Sequence, residues 1–169
     1  ALRVINEDRV APGKGFGTHG HRDMEIVTYV MSGELEHRDS LGNGEAIRPG
    51  EVQRMSAGRG IRHSEFNPSS SETTHLLQIW IEPNEMGINP DYEQQPLAPG
   101  DNDWRVIASP DATQGSTRIH QEASIHAARL QSGHELGYEI DPLRLAYVHL
   151  VRGRLALNEI EMNAGDGAK

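Results

Sequence analysis

Glycine and proline set the grain of this chain. Its 169 residues carry 18 Gly and 9 Pro, and these recur as punctuation between short runs rich in Val, Ile, Leu and Tyr. Such spacing predicts an all-β sandwich or barrel. LRVINEDRV, MEIVTYVM, SGELEH, RPGEVQRMS and GIRHSEF have strand character, and Gly33 and the LGNG at 41–44 mark tight turns. THLLQIWIEP, from Thr74 to Pro83, is the most apolar stretch and is expected to be a central strand. Residues 83–103 are rich in Pro and acidic groups and read as a linker or long crossover between two halves. WRVIAS, GYEID, LAYVHLV and RLALNEI resume strand character, and SIHAARLQS is the one helix-like candidate.

Charge and cysteine content remove several function classes. The net charge is −9, with 9 basic and 10 acidic groups in residues 1–65 but 7 and 15 in residues 66–169. A binder that tracks nucleic-acid phosphates needs a basic face, so direct nucleic-acid binding is not expected. With no Cys, disulfides, Cys-ligated zinc, iron–sulfur clusters and thiol catalysis are excluded. No apolar run approaches the roughly 18 residues of a membrane span, and no signal peptide is visible, so the expected compartment is the cytoplasm. Aromatics are 5% of the chain, so the core must rely on Val, Ile, Leu and Met. The chain begins at Ala1 in a strand-like run and stops at AGDGAK, which reads as truncation at both ends.

The halves share a frame. Val30-Met31-Ser32-Gly33-Glu34-Leu35 is followed by Ile47-Arg48-Pro49-Gly50-Glu51, and Leu150-Val151-Arg152-Gly153-Arg154-Leu155 by Met162-Asn163-Ala164-Gly165-Asp166. Both follow apolar-x-x-Gly-x-Leu, then apolar-x-x-Gly-acid, which points to a duplication.

Two dyads carry the chemistry. In a strand, residues i and i+2 point to one face. His19 and His21 can therefore aim two imidazoles at one point, and His63 and Glu65 can add a third imidazole and a carboxylate from another strand. That donor set suits one mid-series divalent metal, with Fe(II), Mn, Ni, Cu and Zn all compatible. His37 is read as capping a strand. His75, His120, His126, His134 and His149 lack a partner at i+2 and are read as ordinary polar residues. Glu25 shares the parity of His19 and His21, but an ion pair with a nearby Arg is the expected role. Arg59 and Arg62 flank His63 and are read as structural, or as setting the potential over the site.

GTHGHRDMEIVTYVMSGELEHRDSLGN followed by MSAGRGIRHSEFNPS closely resembles the pirin family of the cupin superfamily. Gly13, His19, His21, Glu25 and Gly33 fit the first cupin motif, Pro49-Gly50 and His63 fit the second, and AGRGIRHSE is the pirin-specific part. Gly20 departs from the pattern, since relatives commonly have Pro between the two His. The resemblance implies a bicupin of two jelly-roll β-barrels. Residues 1–82 would form a metal-binding barrel, 83–103 the linker and 104–169 an incomplete second barrel. It implies one metal per chain, Fe(II) first, held by His19, His21, His63 and Glu65, with Glu65 rather than Glu25 as the carboxylate ligand. The matching positions of the second half are Glu139 and Asp141, a poor transition-metal pair.

The function that follows is a metal-dependent dioxygenase of flavonol-type phenols such as quercetin. Its partners would be a small phenolic substrate and dioxygen, with Glu65 as base for the substrate hydroxyl. The rival reading is a non-catalytic, metal-bound pirin acting as a regulatory protein-interaction module, whose acidic second half would suit a basic protein partner. A dioxygenase for a different small molecule is the third.

Overall fold

A computed structural model describes residues 1–169. It is all-β, and its one helical turn is the 3-10 turn Thr113–Gly115. The chain divides into two compact units, Ala1–Glu135 and Leu136–Lys169.

The first unit is built on two antiparallel sheets. The larger contains β1 (Leu2–Val10), β3 (Glu25–Ser32), β6 (Glu51–Ser56), β8 (Thr74–Ile81) and β9 (Asp91–Pro96), in the order β1-β8-β3-β6-β9. The second contains β2 (Gly15–His21), β4 (Leu35–Asp39), β5 (Gly44–Ile47) and β7 (Ile61–Phe66), in the order β2-β7-β4-β5. β8 is interior as expected, flanked by β1 and β3. Within the expected linker, residues 91–96 form the edge strand β9 on β6. A third sheet holds β10 (Gly100–Asp101), β11 (Arg105–Ser109), β12 (Thr117–Arg118) and β13 (Ile125–Arg129). SIHAARLQS therefore supplies the strand β13 rather than a helix, because the ladder with β11 outweighs a weak helical preference.

The two main sheets face each other, and strand parity sorts their inner faces into layers. Val30, Leu76, Leu35, Ile47 and Val10 form one apolar cluster. Ile26, Met55, Ala57 and Ile61 form another, with Met24 and Trp80 against it. Two residues along each strand from these clusters come Thr28, Gln53, Gln78, His37 and His63. A polar belt thus lies between two apolar caps. Leu35→Ala should cost about 2–5 kcal/mol, since Leu35 is fully buried in the first cluster. Urea unfolding would measure it, and a loss below about 1 kcal/mol would show that this cap collapses around the cavity.

The second unit holds β14 (Val148–His149) paired with β17 (Gly167–Ala168), and the hairpin β15 (Arg154–Leu157) with β16 (Ile160–Asn163). GYEID, expected as a strand, contributes none, and of LAYVHLV only Val148–His149 pairs. Period-2 patterning marks a segment able to join a ladder, but a strand exists only where a partner edge meets it.

Candidate metal centre

Antiparallel pairing of β2 with β7 places His19 opposite His63. Both point inward with His21, and the three Nε2 atoms converge. His63 Nε2 lies 3.1 Å from His19 Nε2 and 3.0 Å from His21 Nε2. His19 Nδ1 lies 2.8 Å from the Gly17 carbonyl oxygen. A carbonyl oxygen only accepts, so His19 Nδ1 carries the proton and its Nε2 presents a lone pair. Ligand nitrogens about 2.1 Å from one metal and at right angles stand about 3.0 Å apart. The trio therefore fits one face of a divalent metal's coordination sphere. His63 is 1% exposed, while His19 and His21 are partly exposed, so the trio lies between solvent and the polar belt.

Glu65 is 2% exposed and opposes His37 across the β4–β7 ladder. Its carboxylate is grouped with His37 and His63, their potential ligand atoms all within 4.8 Å of one another, and His63 is shared with the group of His19, His21 and His63. The Gln78 side-chain amide donates to both Glu65 oxygens, at 3.2 and 3.0 Å. Trp80 Nε1 donates to Gln78 Oε1 at 3.1 Å and so fixes which end of the amide faces the carboxylate. The four expected ligands are thus adjacent, with the three imidazoles tightly convergent and the carboxylate one step behind His63. Gln53 shares the belt, and neither polar atom of its buried side chain has a hydrogen-bond partner.

Burial governs the charge states. It lowers the pKa of His63 to about 3, helped by His19, His37 and His21 and opposed by Asp39. Burial, with the charge of His19, lowers that of His21 to about 4. Both imidazoles are therefore neutral at pH 7 and able to bind metal. Burial pushes the Glu65 carboxyl up, against the Gln78 hydrogen bonds. The two histidine shifts act on stability with one sign. Their folded pKa values lie below the unfolded value of about 6.5, so the stability they contribute is whole above that pH and drains as pH falls toward 4 and 3. Glu65, raised, acts oppositely and contributes most below its unfolded pKa. Two groups outweigh one, so the melting temperature of metal-free protein should fall between pH 7 and pH 5. A rise over that interval would contradict the assignment.

Several readings of single residues need correction. His37, expected to cap a strand, is fully buried inside the belt. Its ring centroid lies 5.0 Å from that of Tyr92, the planes tilted by 33°, and its Nε2 meets Asp39 Oδ2 at 3.2 Å. Asp39 at i+2 on the same strand was the available signal. Glu25 does not pair with an Arg. Its Oε2 accepts from Ser56 Oγ at 2.9 Å, and its Oε1 lies 3.3 Å from His120 Nδ1. The turn at Asp23, φ 49°, breaks the parity between β2 and β3, so Ile26 rather than Glu25 faces the core between the sheets. His120, read as ordinary, is Glu25's neighbour. Glu139 and Asp141, aligned with strand positions, lie outside any strand.

No helix is long and apolar enough to cross a membrane. The profile of the Pirin family matches residues 1–81, and that of the quercetinase C-terminal cupin domain matches residues 106–169. The chain is 46% identical over 167 residues to a protein of Escherichia coli named quercetin 2,3-dioxygenase, covering 99% of this chain and 72% of that one. It is 40% identical to a pirin-like protein of Caulobacter vibrioides, covering 99% and 73%. Among solved structures it is similar to a bacterial pirin from Escherichia coli in complex with nickel(II), with TM-score 0.93, 47% identity and coverage of 99% and 72%.

Proposed function

The chain belongs to the pirin family, and from that premise we propose that it is a metal-dependent dioxygenase of flavonol-type phenols such as quercetin. The observation that carries the reading is the convergence of three imidazole nitrogens at 3.0 and 3.1 Å beside a buried carboxylate. The name of the Escherichia coli relative supplies the substrate class. His19, His21 and His63 would hold one divalent metal, with Glu65 as the carboxylate ligand. Fe(II) is the first candidate, and the nickel(II) complex of a relative makes nickel the second. A metal held there would supply the Lewis acidity that lowers the pKa of a substrate hydroxyl.

The chain's own groups do the rest. The partly exposed edges of His19 and His21 leave the phenol a path of approach, and the apolar caps keep bulk water from the inner side. Glu65 takes the hydroxyl proton on its carboxylate. Burial raises its pKa in the metal-free protein, and a cation bound beside it would act against that shift. Gln78 holds that carboxylate in one orientation. We read the architecture as a bicupin, with a metal-binding barrel over 1–82, a connection over 83–103 and a second cupin over 104–169, in a cytoplasmic protein.

The test is oxygen uptake with quercetin by protein loaded in turn with Fe(II), Ni(II), Mn(II) and Cu(II), referred to bound metal. Uptake that tracks metal content supports the dioxygenase. No uptake with any of them would favour the metal-bound interaction module, whose acidic second half would meet a basic protein surface.

A further inference from the structure

The proposed ligand His63 has two ring nitrogens, and only Nε2 faces His19 and His21. Its other nitrogen, Nδ1, turns into the molecule and lies 3.5 Å from His37 Nδ1, long for a hydrogen bond but with the two atoms facing each other. The far side of the His37 ring, Nε2, meets Asp39 Oδ2 at 3.2 Å, and both side chains are fully buried. Asp39 is itself fixed. Its Oδ1 accepts from the backbone N–H groups of Leu41 and Asn43, at 2.8 and 3.1 Å, and its Oδ2 from the Asn43 side-chain amide at 2.9 Å. A carboxylate with this many donors is ionised and can only accept.

The order of protons along this line is then determined. Asp39 accepts, so His37 Nε2 carries the hydrogen. A neutral imidazole has one N–H, so His37 Nδ1 presents a lone pair. The facing His63 Nδ1 must supply the hydrogen, and that leaves the lone pair of His63 on Nε2, facing His19 and His21. The His37 ring also packs, tilted, near the rings of Tyr92 and His63, with centroids 5.0 and 5.2 Å away.

We propose that Asp39 and His37 form a positioning relay that locks the His63 ring in the tautomer and orientation needed to bind the metal. This rests on the metal reading above, and it goes beyond it by assigning a role to two residues outside the proposed ligand set. It also accounts for an asymmetry in the trio: His19 is locked by a backbone carbonyl, whereas His63, deeper in the belt, is locked by side chains. Partners of this kind typically contribute 10- to 100-fold in metal affinity.

The test compares His37→Phe, which keeps a ring but no acceptor, with His37→Asn, whose Oδ1 can accept from His63 Nδ1. Nickel(II) affinity is read by competition with a chelator, and the exchangeable imidazole N–H of His63 by the proton spectrum of the nickel-loaded protein. His37→Phe should lose about 10- to 100-fold in affinity along with the slowly exchanging N–H signal, and His37→Asn should recover much of both. Wild-type affinity and an unchanged signal in His37→Phe would overturn the relay alone. A folded His37→Asn no better than a folded His37→Phe would do the same. If His37→Phe does not fold, the unmodified metal-free protein decides, by long-range proton–nitrogen spectra of its imidazoles. His63 protonated on Nδ1 and His37 on Nε2 is the expected pattern, and His63 protonated on Nε2 refutes it. Failure of the unmodified protein to bind nickel(II) would refute the metal reading, and the relay with it.

Discussion

His63→Ala should abolish tight metal binding and any oxygen uptake that depends on it. His63 is the vertex of the trio, within 3.1 Å of His19 Nε2 and 3.0 Å of His21 Nε2. It is also the proposed ligand whose second ring nitrogen faces His37. Its loss leaves two partly exposed imidazoles on one strand, His19 and His21, too few donors for a tight site. The fall in affinity should exceed the roughly 10- to 100-fold typical of a lost supporting partner, because a donor itself is removed. The fold should survive, since the apolar caps above and below the belt are untouched. The informative comparison is metal content by elemental analysis together with the melting temperature of the metal-free form. A variant that melts like its parent yet still retains stoichiometric Ni(II) or Fe(II) through gel filtration would remove His63 from the site.

How far such a site can be read from sequence depends on whether its geometry is local. His19-Gly20-His21 and His63-Ser64-Glu65 are legible because strand parity alone puts each pair on one face, and the β2–β7 register then brings the faces together. His37-Arg38-Asp39 obeys the same parity and carries the same kind of signal. It goes unread because a His beside a hairpin turn has an easier explanation as a strand cap. Only the β4–β7 register, which sets His37 against Glu65, shows that this face looks inward. Glu25, expected to pair with an Arg, instead meets Ser56 and His120, which are remote in sequence, and its apparent parity with His19 and His21 misleads as well. Parity counted from His21 assumes an unbroken strand, and the left-handed turn at Asp23 resets the count. The pirin membership is legible throughout, because GTHGH and AGRGIRHSE stand as contiguous runs. The strand content of the second half is the least legible, for a segment such as GYEID has the alternation of a strand but no ladder to join.

Glu65→Gln should separate chemistry from metal binding and from folding at once. The substitution keeps the shape of the side chain, and its amide oxygen can still accept from Gln78, so the belt remains packed. Burial raises the carboxyl pKa in the native protein. A raised pKa means the ionised form is worse off folded than unfolded, so the carboxylate costs stability at neutral pH and less as pH falls toward its unfolded value. Metal-free Glu65→Gln should therefore melt no lower than its parent at pH 7, and the difference should narrow or reverse near pH 4. Metal content should fall only in part, because the three imidazoles remain. Turnover of quercetin per bound metal should fall much further, by about 10²- to 10⁴-fold for a lost general base, with the lost anionic donor adding to it. An interaction module predicts a different pattern, with no oxygen uptake in either form and partner affinity that follows metal content. The decisive measurement is oxygen uptake divided by bound metal, with melting curves at pH 7 and pH 4 on the same preparations. Equal activity per metal in the two proteins would take Glu65 out of the reaction and leave it as a buried anchor for Gln78.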